Sequence, residues 1–164
     1  MKLPTGSIGD MTASTAGFDA IAEGLRASVP FVRTLGLEFL ELAPDRAVLR
    51  LPDEPAHRNH IGGPHAGAMF TLAESASGAI VLAAFGDQLH RATPLPVDAG
   101  IRFLKVAQGP VLAEARLERP AAEVVAELDA GKRPEFVVAI TIADEAGTTT
   151  GEMNVTWTLR PNRA

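Results

Sequence analysis

The sequence predicts an α+β domain in which an antiparallel sheet of about six strands wraps around one long helix. Residues Ala66 to Phe85 (AGAMFTLAESASGAIVLAAF) form an Ala-rich, Pro-free apolar run, far longer than a typical strand. The second half of the chain is rich in strand-like segments joined by short turns, which favours antiparallel pairing. A greasy helix among such strands buries its faces best when the sheet curls around it.

The elements follow in order. Phe18, Ile21, Ala22, Leu25 and Val29 have the spacing of an amphipathic helix, and Pro30 should end it or restart a short turn. Leu37 to Leu42 and Arg46 to Leu51 flank an Ala43-Pro44-Asp45 turn and predict a hairpin. The loop PDEPAHRNHIGGP leads into the long helix. Val97 to Val106 and Val111 to Glu118 read as strands on either side of Gln108-Gly109-Pro110, the second with Val111, Ala113, Ala115 and Leu117 on one face. Ala121 to Ala130 reads as a short helix stopped by Gly131. Phe136 to Ala143 and Thr148 to Leu159 make a last hairpin, with Val155, Trp157 and Leu159 on its core face. Residues 1–16, rich in Gly, Ser and Thr, read as a flexible lead-in, and 17–160 as one domain.

Composition narrows the function. The 164 residues carry a net charge of −5, which argues against a nucleic-acid partner. There is no cysteine, so disulfides, thiolate nucleophiles and Cys-based metal sites are excluded. The N-terminus lacks the apolar segment of a secretory signal, and the protein reads as cytoplasmic. The long helix approaches the length of a membrane span, but its central Glu, hydroxyl residues and small residues argue against one. No metal site is expected: His57, His60 and His65 lie in an irregular loop without a helical pair.

Glu74 is the one charged residue in the long apolar run. A buried carboxylate is costly, so it marks either a site or an ion pair. Gly67, Thr71, Glu74, Ser75 and Gly78 share a narrow stripe of small or polar residues, as on an active-site helix set against a partner. Just before it, Gly62, Gly63 and Pro64 suit a tight turn. The N–H groups of Ala66, Gly67 and Ala68 should then point out of the helix start, where with the helix dipole they favour a polarised carbonyl or an oxyanion.

The pattern N-x-x-G-x-x-H-A-G from Asn59 to Gly67, with Glu74 nine residues after His65, resembles hotdog-fold acyl-CoA thioesterases of the phenylacetate-pathway (PaaI-type) class. The similarity covers roughly residues 30–160. It departs from the usual His-Gly-Gly in having Ala66. The segment 121–130 and the later F-x-V-x-I-x-I-x-D-E-x-G run are more similar to a poorly characterised thioesterase-like subgroup. The resemblance implies a hotdog fold and hydrolysis of an acyl-CoA or acyl carrier protein thioester. Coenzyme A would enter only as part of the substrate, with no other cofactor. It further implies that Glu74 is the nucleophile or the base for water, that the Ala66 N–H polarises the carbonyl, that Asn59 orients the reacting group and that His65 holds the loop. Gly67, Thr71, Gly78, Phe103 and Lys105 become candidate substrate contacts. Lys105 is preferred among Arg58, Arg91, Arg102, Lys105, Arg116 and Arg119 for the phosphates.

Ala66 and Glu74 are eight residues apart, about 12 Å along a helix, so one carbonyl cannot meet both in one chain. Two antiparallel copies of the helix about a two-fold axis could bring them together, which implies a homodimer, in this superfamily sometimes paired into a tetramer. Two rivals remain at this stage. His60, fourteen residues before Glu74, has spacing similar to β-hydroxyacyl dehydratases acting on 3-hydroxyacyl thioesters. A non-catalytic acyl-CoA-binding hotdog protein is the other.

Overall fold

The computed structural model describes the backbone of residues 8–163 and the side chains of residues 17–163. Of the expected lead-in, residues 1–7 lie outside this range. The rest opens the first helix, α1 (Ile8–Ser28), which therefore starts ten residues before Phe18. Its Ala22 is buried and Leu25 packs on the core. Pro30 opens α2 (Pro30–Thr34) at a position where the missing N–H costs nothing.

Strands β1 (Glu38–Ala43) and β2 (Arg46–Leu51) form the expected hairpin. On its outer face, Arg46 binds Glu41 and Glu114, and Arg50 binds Glu38 and Glu145. Ala47, Leu49 and Leu51 point inward. Helix α3 (Ala66–Phe85) has the bounds of the apolar run. Leu72, Ala73, Ala76 and Ile80 are fully buried against the sheet, and the small side chains let it approach closely. The remaining strands are β3 (Ala92–Phe103), β4 (Val111–Leu117), β5 (Glu135–Asp144) and β6 (Thr149–Pro161), with helix α4 (Ala121–Asp129) between β4 and β5. The six strands run β1-β2-β4-β5-β6-β3, antiparallel throughout, and curl around α3. This is the hotdog arrangement.

Strand β3 departs from expectation in two ways. It starts at Ala92 rather than Val97, because it is an edge strand that tolerates Pro94 and Pro96. Both prolines have the same parity, so their missing N–H groups fall on one side of the strand. Nor does Gln108-Gly109-Pro110 join β3 and β4 in a hairpin: β3 pairs only with β6, and residues 104–110 cross to β4 beside β2. The N–H groups of Leu104 and Lys105 both reach the Thr150 carbonyl, at 2.9 and 3.2 Å, which ends the ladder and starts the crossover. The crossover then packs on the loop preceding α3. A Cβ on Gly63 would sit 2.3 Å from the Ala107 carbonyl oxygen, so only glycine fits that contact.

The stretch Ala66–Gln88 is long and apolar enough to cross a membrane by length and composition. Here it is the central helix, and the sheet covers its inner faces.

Candidate active site

The loop before α3 is organised by Asn59. Its Oδ1 accepts the N–H groups of Ile61 and Gly63 at 3.0 and 3.2 Å, and its Nδ2 donates to the Pro64 carbonyl at 3.3 Å. The Asn59 main chain adds bonds to Gly63 O at 2.8 Å and from Gly62 N at 3.1 Å. Gly62 takes a positive φ of 85°, which suits glycine. The side chain expected to orient the reacting group is thus engaged with its own loop, and it shapes the turn that presents the helix start.

His65 is the N-cap of α3. Its Nδ1 accepts the Gly67 N–H at 2.9 Å, so this ring nitrogen is unprotonated in this geometry. Of the three N–H groups expected to be free, Gly67 is therefore taken. Those of Ala66 and Ala68 have no partner among the described residues. Gly67 leaves room for this cap, since a Cβ there would lie 3.2 Å from His65 Nδ1. The exposed helix start borders a pocket of about 380 Å³ in which Asn59, Ala66, Phe103 and Lys105 come together. The end of β3 brings Phe103 there, and the crossover that follows brings Lys105.

Glu74 lies elsewhere. It is half-buried, its carboxylate has no hydrogen-bond or ion-pair partner among the described residues, and desolvation raises its pKa above the ordinary 4.5. It opens, with Ser75 and Gly78, into a second, apolar pocket of about 250 Å³. Val32, Phe39, Val81 and Trp157 help to wall it. Thr71, one turn closer to the helix start, donates its hydroxyl to Gly67 O at 2.9 Å. Gly67, Thr71, Glu74, Ser75 and Gly78 all lie on the face of α3 that the sheet leaves incompletely covered.

Trp157 was expected only as core. Its indole N–H donates to Ser77 Oγ at 3.1 Å, while Ser77 donates to the Glu74 carbonyl at 2.7 Å. This pair fixes the wall of the Glu74 pocket to the turn that carries Glu74. The signal was legible: a buried serine in a greasy helix and a lone tryptophan each need a polar partner.

A family model described as Domain of unknown function (DUF4442) matches residues 17–159. The chain belongs to the DUF4442 family. No curated protein matches it. Among solved structures, it is similar to a Pseudomonas aeruginosa protein of unknown function named a probable thioesterase. The identity is 29%, 99% of each chain is covered, and the TM-score is 0.79. It is also similar to a thioesterase family protein from Silicibacter pomeroyi, at 23% identity over 88% of this chain and 99% of that one, with a TM-score of 0.71. A mutant thioesterase from Pseudomonas aeruginosa shares 18% identity over 88% of this chain and 94% of that one, at a TM-score of 0.70. The latter two speak for the fold. All three agree with a hotdog fold, and the first also with a domain of the thioesterase type.

In this DUF4442 domain the basic candidates separate by their partners. Arg58 pairs with Asp53, Arg91 with Asp129, Arg116 with Glu114 and Arg119 with Glu127. Arg102 and Lys105 form no ion pair among the described residues, and only Lys105 lines the pocket at the helix start. The loop histidines diverge. His57 is buried, with Nδ1 3.3 Å from the Pro52 carbonyl oxygen, His60 is exposed and His65 caps α3.

Proposed function

We propose that this protein hydrolyses an acyl thioester, of coenzyme A or of an acyl carrier protein, at a site shared by two subunits. One observation carries the reading. The Ala66 N–H and the Glu74 carboxylate, neither with a partner among the described residues, sit in separate pockets about 12 Å apart along the same incompletely covered face of α3. A two-fold copy of that face completes both halves at once.

In the composite site the Ala66 N–H of one subunit polarises the thioester carbonyl, aided by the helix dipole. Glu74 of the other subunit accepts a proton from water as its oxygen attacks the carbonyl carbon. The tetrahedral oxyanion collapses, the C–S bond breaks, and the thiolate takes the proton from Glu74. The products are a carboxylic acid and a free thiol. Alternatively the carboxylate attacks directly and expels the thiolate to give an anhydride, which water cleaves to the acid and the free Glu74 carboxylate while the released proton goes to the thiolate. Lys105 at the rim suits the phosphates of the thiol carrier. Gly67, Thr71 and Phe103 line the path between the two halves, and Asn59 and His65 hold the helix start in position.

The test is release of free thiol from saturated acyl-CoAs by the purified protein. Glu74→Gln should abolish it, and activity within a few-fold of the parent would remove Glu74 from the mechanism. Enoyl product from a 3-hydroxyacyl-CoA without thiol release would make the protein a dehydratase. Acyl-CoA binding with neither product would make it a binding protein.

A further inference from the structure

We infer that the acyl group is a saturated chain of roughly ten to fifteen carbons, held in two connected apolar pockets that run from Glu74 along the C-terminal half of α3 beneath α1. This rests on the thioesterase reading of Glu74 and goes on to name its substrate class.

The pocket at Glu74 is polar only at the Glu74–Ser75 end. A larger open groove of about 750 Å³ lies between α1 and the last turns of α3, and Ile21, Ala83, Ala84 and Leu89 contribute to its walls. Leu25 and Leu82 line both spaces, so the two adjoin at these side chains, and a chain passing from one to the other runs between them. From Glu74 to Leu82 is eight residues, about 12 Å of helix, and to Gly86 it is twelve, about 18 Å. An extended chain advances about 1.2 Å per bond, so these lengths correspond to roughly ten and fifteen carbons. Among the described residues Asp87 is the one charged residue lining the groove, and it disfavours a chain that ends in a carboxylate.

The glycines point the same way. Gly24 lies inside α1, where glycine weakens a helix. Its φ is not positive, and a Cβ there would meet no atom within 4 Å. The same holds for Gly86, and a Cβ on Gly78 would meet only the Trp157 ring at an ordinary 3.8 Å. Neither backbone conformation nor packing within the chain requires these glycines. Gly24 and Gly86 border the groove and Gly78 the pocket, where a side chain would take up the space.

The experiment compares thiol release from butyryl-, octanoyl-, dodecanoyl- and hexadecanoyl-CoA. Each buried methylene adds up to about fourfold to kcat/KM, so dodecanoyl-CoA should exceed butyryl-CoA by about a hundredfold or more. Gly24→Phe puts a ring on the groove wall at a position where the added Cβ meets no atom within 4 Å, and Leu82→Trp adds bulk where the two spaces adjoin. Each should lower the dodecanoyl-to-butyryl ratio by about tenfold or more. A flat chain-length profile, or an equal loss on all chains, overturns the proposal. If no acyl-CoA is cleaved, the thioesterase reading fails by itself, and calorimetry with the uncleavable thioethers S-dodecyl-CoA and S-butyl-CoA decides the groove. Tighter binding of the dodecyl compound, lost in Gly24→Phe, supports it, and equal or absent binding overturns it.

Discussion

At Glu74 a carboxylate sits without a counter-ion among the described residues, in a helix otherwise devoid of charge. Burial raises its pKa above 4.5, so the folded chain keeps this proton to higher pH than the unfolded chain does. Below pH 4.5 the residue is neutral in both states and costs nothing. As pH climbs from 4.5 through the raised value, the unfolded chain releases the proton first and stability falls. Glu74→Gln should therefore match the parent in urea denaturation at pH 4 and exceed it at pH 8. Equal stabilities at both would mean that the carboxylate is solvated. Catalysis needs the ionised form, so kcat/KM should rise with pH to a half-point above 4.5, and the Gln variant should lose about two orders of magnitude or more. Glu74 was legible in the sequence because a lone charge in an apolar run is costly. The bonds of Asn59 to Ile61, Gly63 and Pro64 were not, because its residue type suits both a reacting group and an Asx-type turn.

At the scale of elements, the start of α3 is held by its cap and by the crossover packed on its loop. His65→Ala removes the acceptor for the Gly67 N–H and should lower the unfolding free energy by about 1 kcal/mol, while His65→Asn, which keeps an acceptor, should recover most of it. Gly63→Ala forces a methyl into the Ala107 carbonyl and should cost about 1–3 kcal/mol. It should also weaken thioester hydrolysis, because the same contact places Lys105 beside Ala66. Denaturation curves read the first effects and thiol release the last. Helix α3 was legible to the residue, since an uninterrupted apolar run between a Gly-Pro turn and Gly86 admits one solution. Strand β3 was not, because Pro94 and Pro96 argue against a strand unless it is known to be an edge. Its pairing was hidden as well: a short Gly-Pro turn suggests a hairpin, whereas the strand order depends on how the whole sheet closes on α3.

At the scale of the molecule, β3 is a twelve-residue strand with an open edge, and Val97 and Phe103 on it, with Leu104 and Val106 just after it, are exposed. Long open edges with apolar neighbours invite pairing, and a second copy is the occupant that also completes the site. Light scattering should give the mass of at least two chains, and a clean monomer would sink the composite site. A sharper test uses two inactive variants. Ala66 is the first residue of α3, where proline is well tolerated, and His65 already has the extended ψ of 140° that a following proline prefers. Ala66→Pro thus removes the N–H that polarises the carbonyl and leaves the helix intact, at a loss of about 10²–10³ in kcat. Glu74→Gln removes the carboxylate. In a mixed dimer of the two, one site combines both defects, and the other joins the Glu74 of the Ala66→Pro chain to the Ala66 N–H of the Glu74→Gln chain. Co-refolding them in equal amounts should restore about a quarter of the parent activity, since about half of random dimers are mixed and each mixed dimer has one intact site. No recovery, with mixed dimers shown to form by native mass spectrometry, would place both groups in the service of one chain and end the two-subunit mechanism.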